Sequence, residues 1–174
     1  MSRLQDTSIP PGISIERDPA SPDHAVLRAI KAYWDEKRGQ RRMPARADIQ
    51  PAEIKSLLPQ VLLVDVLPGG DDFRYRLLGT KLRPYFPSEA TGQTMRATLS
   101  PFGTQTLDAM LAAYREVADS RIPLRINGTG EIFARPSKFF EAILMPLGEV
   151  DEIADMIFGA FEFDWILPVG DARL

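Results

Sequence analysis

A chain of 174 residues, 44% hydrophobic and 26% charged, can bury the core of one domain without disulfides or a structural metal. Its net charge of −3 gives no overall attraction to polyanions, and the absence of cysteine removes disulfides, thiolate nucleophiles and cysteine metal clusters. No apolar run approaches the roughly 18–20 residues that cross a bilayer and the N-terminus lacks the apolar stretch of a secretory signal, which together with the missing cysteines points to a reducing cytoplasm.

Residues 1–20 read as an irregular arm, because Pro10-Pro11-Gly12 and Pro19 interrupt any helical period. Ser21-Pro22-Asp23 then looks like a helix start, with Ser21 as N-cap and Pro22 in the first turn. Val26, Leu27, Ile30, Tyr33 and Trp34 follow on one apolar face, predicting a helix over 22–38 that ends at Gly39. Arg41-Arg42-Met43-Pro44 is a turn, and Pro51–Leu58 a short helix stopped by Pro59. Val61–Val66 is a β-branched run of strand length, expected in the sheet interior. Phe73–Leu77 alternates apolar and charged residues, and the Pro68-Gly69-Gly70-Asp71 turn between them makes a hairpin.

Gly79–Gly103 mixes prolines, glycines and short apolar groups, and reads as loops and helical turns walling a site. Leu107, Met110, Leu111, Tyr114 and Val117 share one face of a helix over Thr104–Asp119. Three strands complete the chain, over Pro123–Ile126, Lys138–Leu147 and Ile153–Phe163, with a turn at Gly128-Thr129-Gly130 and a hairpin loop at 148–152. Alternation groups Phe139, Glu141, Ile143 and Met145 on one face of the second, and Phe140, Ala142 and Leu144 on the other. The domain is thus expected over 21–166, with a frayed tail at 167–174.

Several stretches, in this order, resemble a family of bacterial PAS-like proteins, small and without an attached output domain. They are Tyr33-Trp34 with Lys37-Arg38-Gly39; Pro44-Ala45-Arg46-Ala47-Asp48-Ile49-Gln50-Pro51; Leu57-Leu58-Pro59; Tyr75-Arg76-Leu77-Leu78-Gly79-Thr80; Thr91-Gly92; and Leu144-Met145-Pro146-Leu147. The resemblance covers about residues 26–163. It implies an α+β fold, a PAS-like five-stranded antiparallel sheet with helices on one face plus an N-terminal helix, and a pocket between sheet and helices. It implies no particular ligand.

Individual residues carry little chemistry. His24 is the single histidine and has no His or Cys partner, so it reads as a surface or capping residue and not a haem or metal ligand. Haem-bearing PAS domains supply a histidine from the core helix and light-sensing relatives a cysteine, and the chain has neither there. No haem and no covalent flavin adduct are therefore expected. Tyr114 can ligate haem in principle, but its apolar spacing favours packing. Asp48 reads as a helix cap and Arg46 as a donor to nearby carbonyls or a carboxylate, with ligand contact by Arg46 the alternative. Arg74 and Arg76 read as partners of acidic residues on a neighbouring strand, with ligand capture by Arg76 the alternative. Lys37-Arg38 and Arg41-Arg42 read as a solvated helix end, with no nucleic-acid or membrane partner expected. No phosphate loop, dinucleotide fingerprint or Gly-x-Ser-x-Gly elbow occurs.

These readings converge on a non-enzymatic sensory or regulatory module that binds a small organic ligand or a protein. Its signal would leave by association, through a homodimer formed by the N-terminal helix with Tyr33 and Trp34, or through a separate effector. The alternatives are a carboxylate-based isomerase or hydrolase on the same layers, and a pure interaction domain with a filled core. Strand and helix periodicity gives the expected ligand-binding residues Tyr75, Leu77, Met110, Tyr114, Phe139 and Ile143, with Thr80 and Arg96 as polar handles. Phe73, Phe86, Met95, Leu107, Leu111 and Phe158 extend the same lining.

Overall fold

The computed structural model describes residues 13–86, 89–129 and 138–165. Six antiparallel strands form one sheet in the order β1-β4-β5-β6-β2-β3. These are β1 Ile13–Arg17, β2 Val61–Val66, β3 Phe73–Leu78, β4 Leu124–Thr129, β5 Lys138–Leu147 and β6 Met156–Trp165. Among the described residues three α-helices accompany them: α1 Ala25–Arg38, α2 Met95–Leu99 and α3 Thr104–Ser120. Val61–Val66 lies inside the sheet between β6 and β3, as its continuous apolar run requires.

The sheet has six strands, not five, because part of the supposed arm is a strand. Ile13 and Ile15 alternate with Ser14 and Glu16, and β1 pairs along β4 from Ile13↔Gly128 to Arg17↔Leu124. The two isoleucines pack against the core while the polar positions face outward. This pairing also corrects the expected turn at Gly128, which lies within β4 between Ile13 and Phe140. Met1–Gly12, Gly130 and the tail 167–174 lie outside the described residues.

Both faces of the sheet are covered. On one, α2 and α3 pack with Leu62, Val64, Phe73, Tyr75, Phe140, Leu144, Ile157 and Phe161. On the other, Leu27, Ile30 and Trp34 of α1 meet Val61, Leu63, Ile143, Met145, Leu147 and Phe158. The buried positions of α3 are those its 3.6-residue period selects: Leu107, Met110, Leu111, Ala113, Tyr114 and Val117. The segment Pro51–Leu58, read as one short helix, holds a 3₁₀ turn at Pro51–Ile54 and runs into another at Leu58–Gln60, with Pro51 and Pro59 in their first two positions; a further 3₁₀ turn, Arg46–Asp48, precedes them. The last strand begins at Met156, not Ile153, because Val150 and Ile153 bridge each other within the hairpin loop.

The N-terminal helix begins at Ala25, three residues after the Pro22 start read from the sequence. No local side chain caps it. Instead, Glu141 of β5 reaches across and accepts from the backbone N–H groups of Asp23 (2.8 Å) and His24 (2.9 Å). A carboxylate at a helix N-terminus satisfies otherwise orphaned donors and suits the positive end of the dipole.

Trp34 turns inward, with its indole N–H donating to the Pro146 carbonyl at 2.9 Å. Pro146 lies beyond the end of the β4 ladder, so its missing N–H removes no bond to that strand. The apolar stripe of α1 is thereby covered by its own sheet. That corrects the premise that Tyr33 and Trp34 present an unpartnered docking face: Trp34 is 2% exposed, and Tyr33 hydrogen-bonds Glu53 at 2.7 Å.

A register shift in the β2–β3 hairpin decides one predicted site residue. Leu63 pairs with Leu77 and Val64 with Tyr75, leaving Arg76 as the extra residue of a bulge. Side-chain parity flips there, so Tyr75 and Leu78 are buried while Leu77 is 39% exposed. Arg76 turns out to pair with Asp65 of β2. Leu77→Ser is expected to change unfolding free energy by no more than ~0.5 kcal/mol, and Leu78→Ser to remove about 2–5 kcal/mol. Urea unfolding of the two variants measures the difference, and equal losses would contradict the bulge.

Candidate functional site

The candidate site is the interior between the sheet and α2–α3. Its walls come from three sources. Strand β3 contributes Phe73 and Tyr75, α3 contributes Met110 and Tyr114, and the segment before α2 contributes Phe86. That segment is tied to β3, since Tyr75 N–H donates to the Gln93 carbonyl (3.1 Å) and Gly92 N–H to the Tyr75 carbonyl (2.7 Å). Gly92 has φ +85°, a turn geometry that glycine adopts without strain.

Aromatic rings organise this layer. Phe73 and Tyr114 lie 5.5 Å apart with tilted planes, Tyr75 meets Phe86 edge-on at 5.8 Å, and Phe86 meets Phe161 edge-on at 5.9 Å. Such geometries align ring edges with ring faces, adding to the effect of burial.

Two phenols stand out in this apolar setting. The hydroxyls of Tyr75 and Tyr114 are buried and have no hydrogen-bond partner among the described residues. Thr98 Oγ1 comes close enough to Tyr75 to act downward on its pKa, but outside hydrogen-bond geometry, and it donates to the Thr94 and Met95 carbonyls. Desolvation dominates, pushing both phenols upward in pKa, and for Tyr114 the nearby Tyr75 adds to it. Both therefore stay neutral donors at physiological pH. Most buried hydroxyls are satisfied, so two adjacent exceptions mark a place where an acceptor is missing.

Of the residues read as a site, the structure brings Tyr75, Met110 and Tyr114 together, along with Phe73, Phe86, Met95, Leu107 and Leu111. Six others lie elsewhere. Leu77 is exposed through the bulge. Thr80 is exposed, and so is Arg96, whose guanidinium donates to the Asp71 carbonyl at 3.2 Å. Phe139 is 38% exposed. Ile143 belongs to the opposite face with Trp34, as does Phe158.

Alternation separates the two faces of β5 correctly, but the site takes the face opposite to Phe139 and Ile143. Phe140, Ala142 and Leu144 meet α3's layer, and the Glu141–Ile143 parity faces α1. With both faces apolar, alternation defines two sets without saying which meets which helix. Phe140 and Phe161 were missed for that reason. Glu141 was the available signal, since a carboxylate inside so apolar a run needs donors such as a helix start.

The residues with alternative readings settle into local roles. Arg46 donates to the Ile49 carbonyl at 3.0 Å, while Asp48 accepts from Ala45 N–H at 2.8 Å and pairs with Arg41. That arginine and the backbone N–H hold the Asp48 carboxyl below its usual pKa. Among the described residues no group of three or more His, Asp or Glu side chains could hold a metal ion, and no helix is long and apolar enough to cross a membrane.

A family model described as a PAS domain matches residues 22–162. No curated protein and no solved structure matches the chain. The match begins after β1, so the sixth strand lies outside it. Two strands, a helical segment and three strands make one antiparallel sheet, in keeping with that match, and the chain belongs to the PAS domain family.

Proposed function

We propose that the chain is a non-enzymatic sensory or regulatory module that holds a small organic ligand between the sheet and α2–α3. The buried, unpartnered hydroxyls of Tyr75 and Tyr114 carry this reading. Each is a neutral donor without an acceptor, so the matching ligand presents carbonyl, ether or ring-nitrogen acceptors on a largely apolar body. A signal would pass to a second copy of the chain or to a separate effector protein.

Tyr114→Phe tests it. An unsatisfied buried hydroxyl costs about 1–3 kcal/mol, so the variant is expected to unfold at the same temperature as the wild type or a few degrees higher. Native mass spectrometry of freshly purified wild-type protein should show added mass, which Tyr114→Phe loses or diminishes. A Tyr114→Phe variant that unfolds several degrees lower, with no added mass on either protein, would mean the hydroxyl is ordinary core and would favour the interaction domain.

A further inference from the structure

A concavity that includes neither tyrosine lies beside α1. It is a cleft of about 440 Å³ between the C-terminal half of α1, the Arg121–Pro123 turn after α3, Asp18 after β1, and Asp151 of the β5–β6 hairpin. We propose that this cleft binds the phosphate end of a small phosphorylated molecule, held by Arg42 and Arg121.

Charge makes the first case. Five cations line the cleft: Lys31, Arg38, Arg41, Arg42 and Arg121. Three carboxylates oppose them, from Asp18, Asp35 and Asp151, leaving five minus three, or two positive charges. Basic residues at helix ends often do no more than offset the dipole, and both α1 and α3 end here. Two helix C-termini contribute roughly half a negative charge each, so about one positive charge remains.

Pairing identifies which cations are available. Asp35 holds Lys31 and neutralises Arg38 only loosely, standing 3.5 Å from its Nε without a hydrogen bond, while Arg41 is taken by Asp48 outside the cleft. Arg42 and Arg121 have no carboxylate partner among the described residues. Arg121 donates through Nη1 to the Glu152 carbonyl at 3.1 Å, but its buried Nε has no acceptor. A guanidinium presents a planar fork suited to phosphate oxygens.

The walls are fixed from several sides. Arg42 N–H donates to Asp151 at 3.0 Å, and Asp18 N–H to the Pro123 carbonyl at 2.8 Å. Arg121 is also the C-cap of α3 in left-handed geometry, with φ 57°. Glycine is the ordinary occupant of that position. An arginine kept there despite the strain is consistent with a role for its side chain. A concave cleft of this size suits a small molecule better than the extended backbone of a nucleic acid.

The test is calorimetric titration of the full chain with pyrophosphate, at fixed low ionic strength, beside Arg42→Gln and Arg121→Gly. Arg42 is exposed, and glycine relieves the left-handed strain at 121, so both variants should fold. Saturable one-to-one binding by the wild type is expected, weakened about tenfold or more in Arg121→Gly and roughly three- to tenfold in Arg42→Gln. Tyr114→Phe should bind pyrophosphate like the wild type, which keeps this outcome separate from that of the interior site. No saturable binding, wild-type affinity in both arginine variants, or equal affinity for sulfate would overturn the proposal. So would sedimentation with phosphatidylserine vesicles in the absence of pyrophosphate binding, which would place an anionic membrane at the cleft instead.

Discussion

Replacing Glu141 by alanine is expected to lower the unfolding free energy by about 3–5 kcal/mol, among the largest effects of any single substitution in this chain. Glu141 is 1% exposed and accepts three charge-assisted or backbone hydrogen bonds, from Asp23 N–H, His24 N–H and Arg125 Nε at 2.6 Å. Arg125 in turn reaches Glu16 of β1 at 3.0 Å and Asp23 at 2.6 Å. One buried carboxylate thus joins β5, β4, the edge strand and the start of α1. Its removal leaves two helix donors without their acceptor and a mostly buried guanidinium without its buried counter-charge. At about 2–4 °C per kcal/mol for a chain of this size, the midpoint should fall by roughly 6–20 °C. Glu141→Gln keeps the shape and one acceptor oxygen, so a smaller loss is expected. Circular dichroism melts of the two variants check the order, and a Glu141→Ala variant as stable as wild type would show that the cluster is a solvated surface pair.

Gly79→Ala should be comparably severe, for a steric reason. A Cβ at Gly79 would lie 2.3 Å from the Pro59 carbonyl oxygen and 2.4 Å from that of Leu58. Neither oxygen can move freely: Lys81 N–H donates to the Pro59 carbonyl at 2.9 Å and Val61 N–H to the Leu58 carbonyl, while Gly79 is itself tied by its N–H to the Val61 carbonyl at 2.7 Å. The reason for glycine here is close backbone approach, since its φ is not in the left-handed region. Overpacking against fixed backbone costs typically 1–3 kcal/mol and sometimes more, and a contact this short puts the expected loss near or above ~3 kcal/mol. Gly92→Ala supplies the contrast. Gly92 has φ +85° and nothing within 4 Å of a Cβ, so only the left-handed penalty of about 1–2 kcal/mol applies. Denaturant unfolding should therefore rank Gly79→Ala well below Gly92→Ala, and the reverse order would refute the close-approach account.

The two substitutions also mark where sequence patterns stop being informative. Gly79 reads as a turn glycine in the sequence, because a steric neighbour twenty residues earlier in the chain leaves no local trace. Glu141 reads as one polar position in an alternating strand, because its donors are the backbone of a helix far away in the chain. The helix start illustrates the same competition. Ser21 and Pro22 are good local signals, but the distant carboxylate provides the cap, and the helix begins at Ala25.

Local physics was enough for much of the architecture. The 3.6-residue period of α3 selected its buried face, and the apolar stripe of α1 marked the surface it buries. Val61–Val66 reads as an interior strand, because a nearly continuous apolar, valine-rich run needs cover on both faces. The order of a few short motifs was enough for the resemblance to the family. Tertiary structure decided the rest. A bulge at Arg76 took Leu77 out of the site, and the pairing of β1 with β4 turned an apparent arm into a sixth strand. The layers packed on each face of β5 sent Ile143 to α1 and Phe140 to α3. The physical reason is common to all three: periodicity reports which side chains share a face, but register and layer assignment depend on partners far away in the chain, and a slip of one residue exchanges the faces.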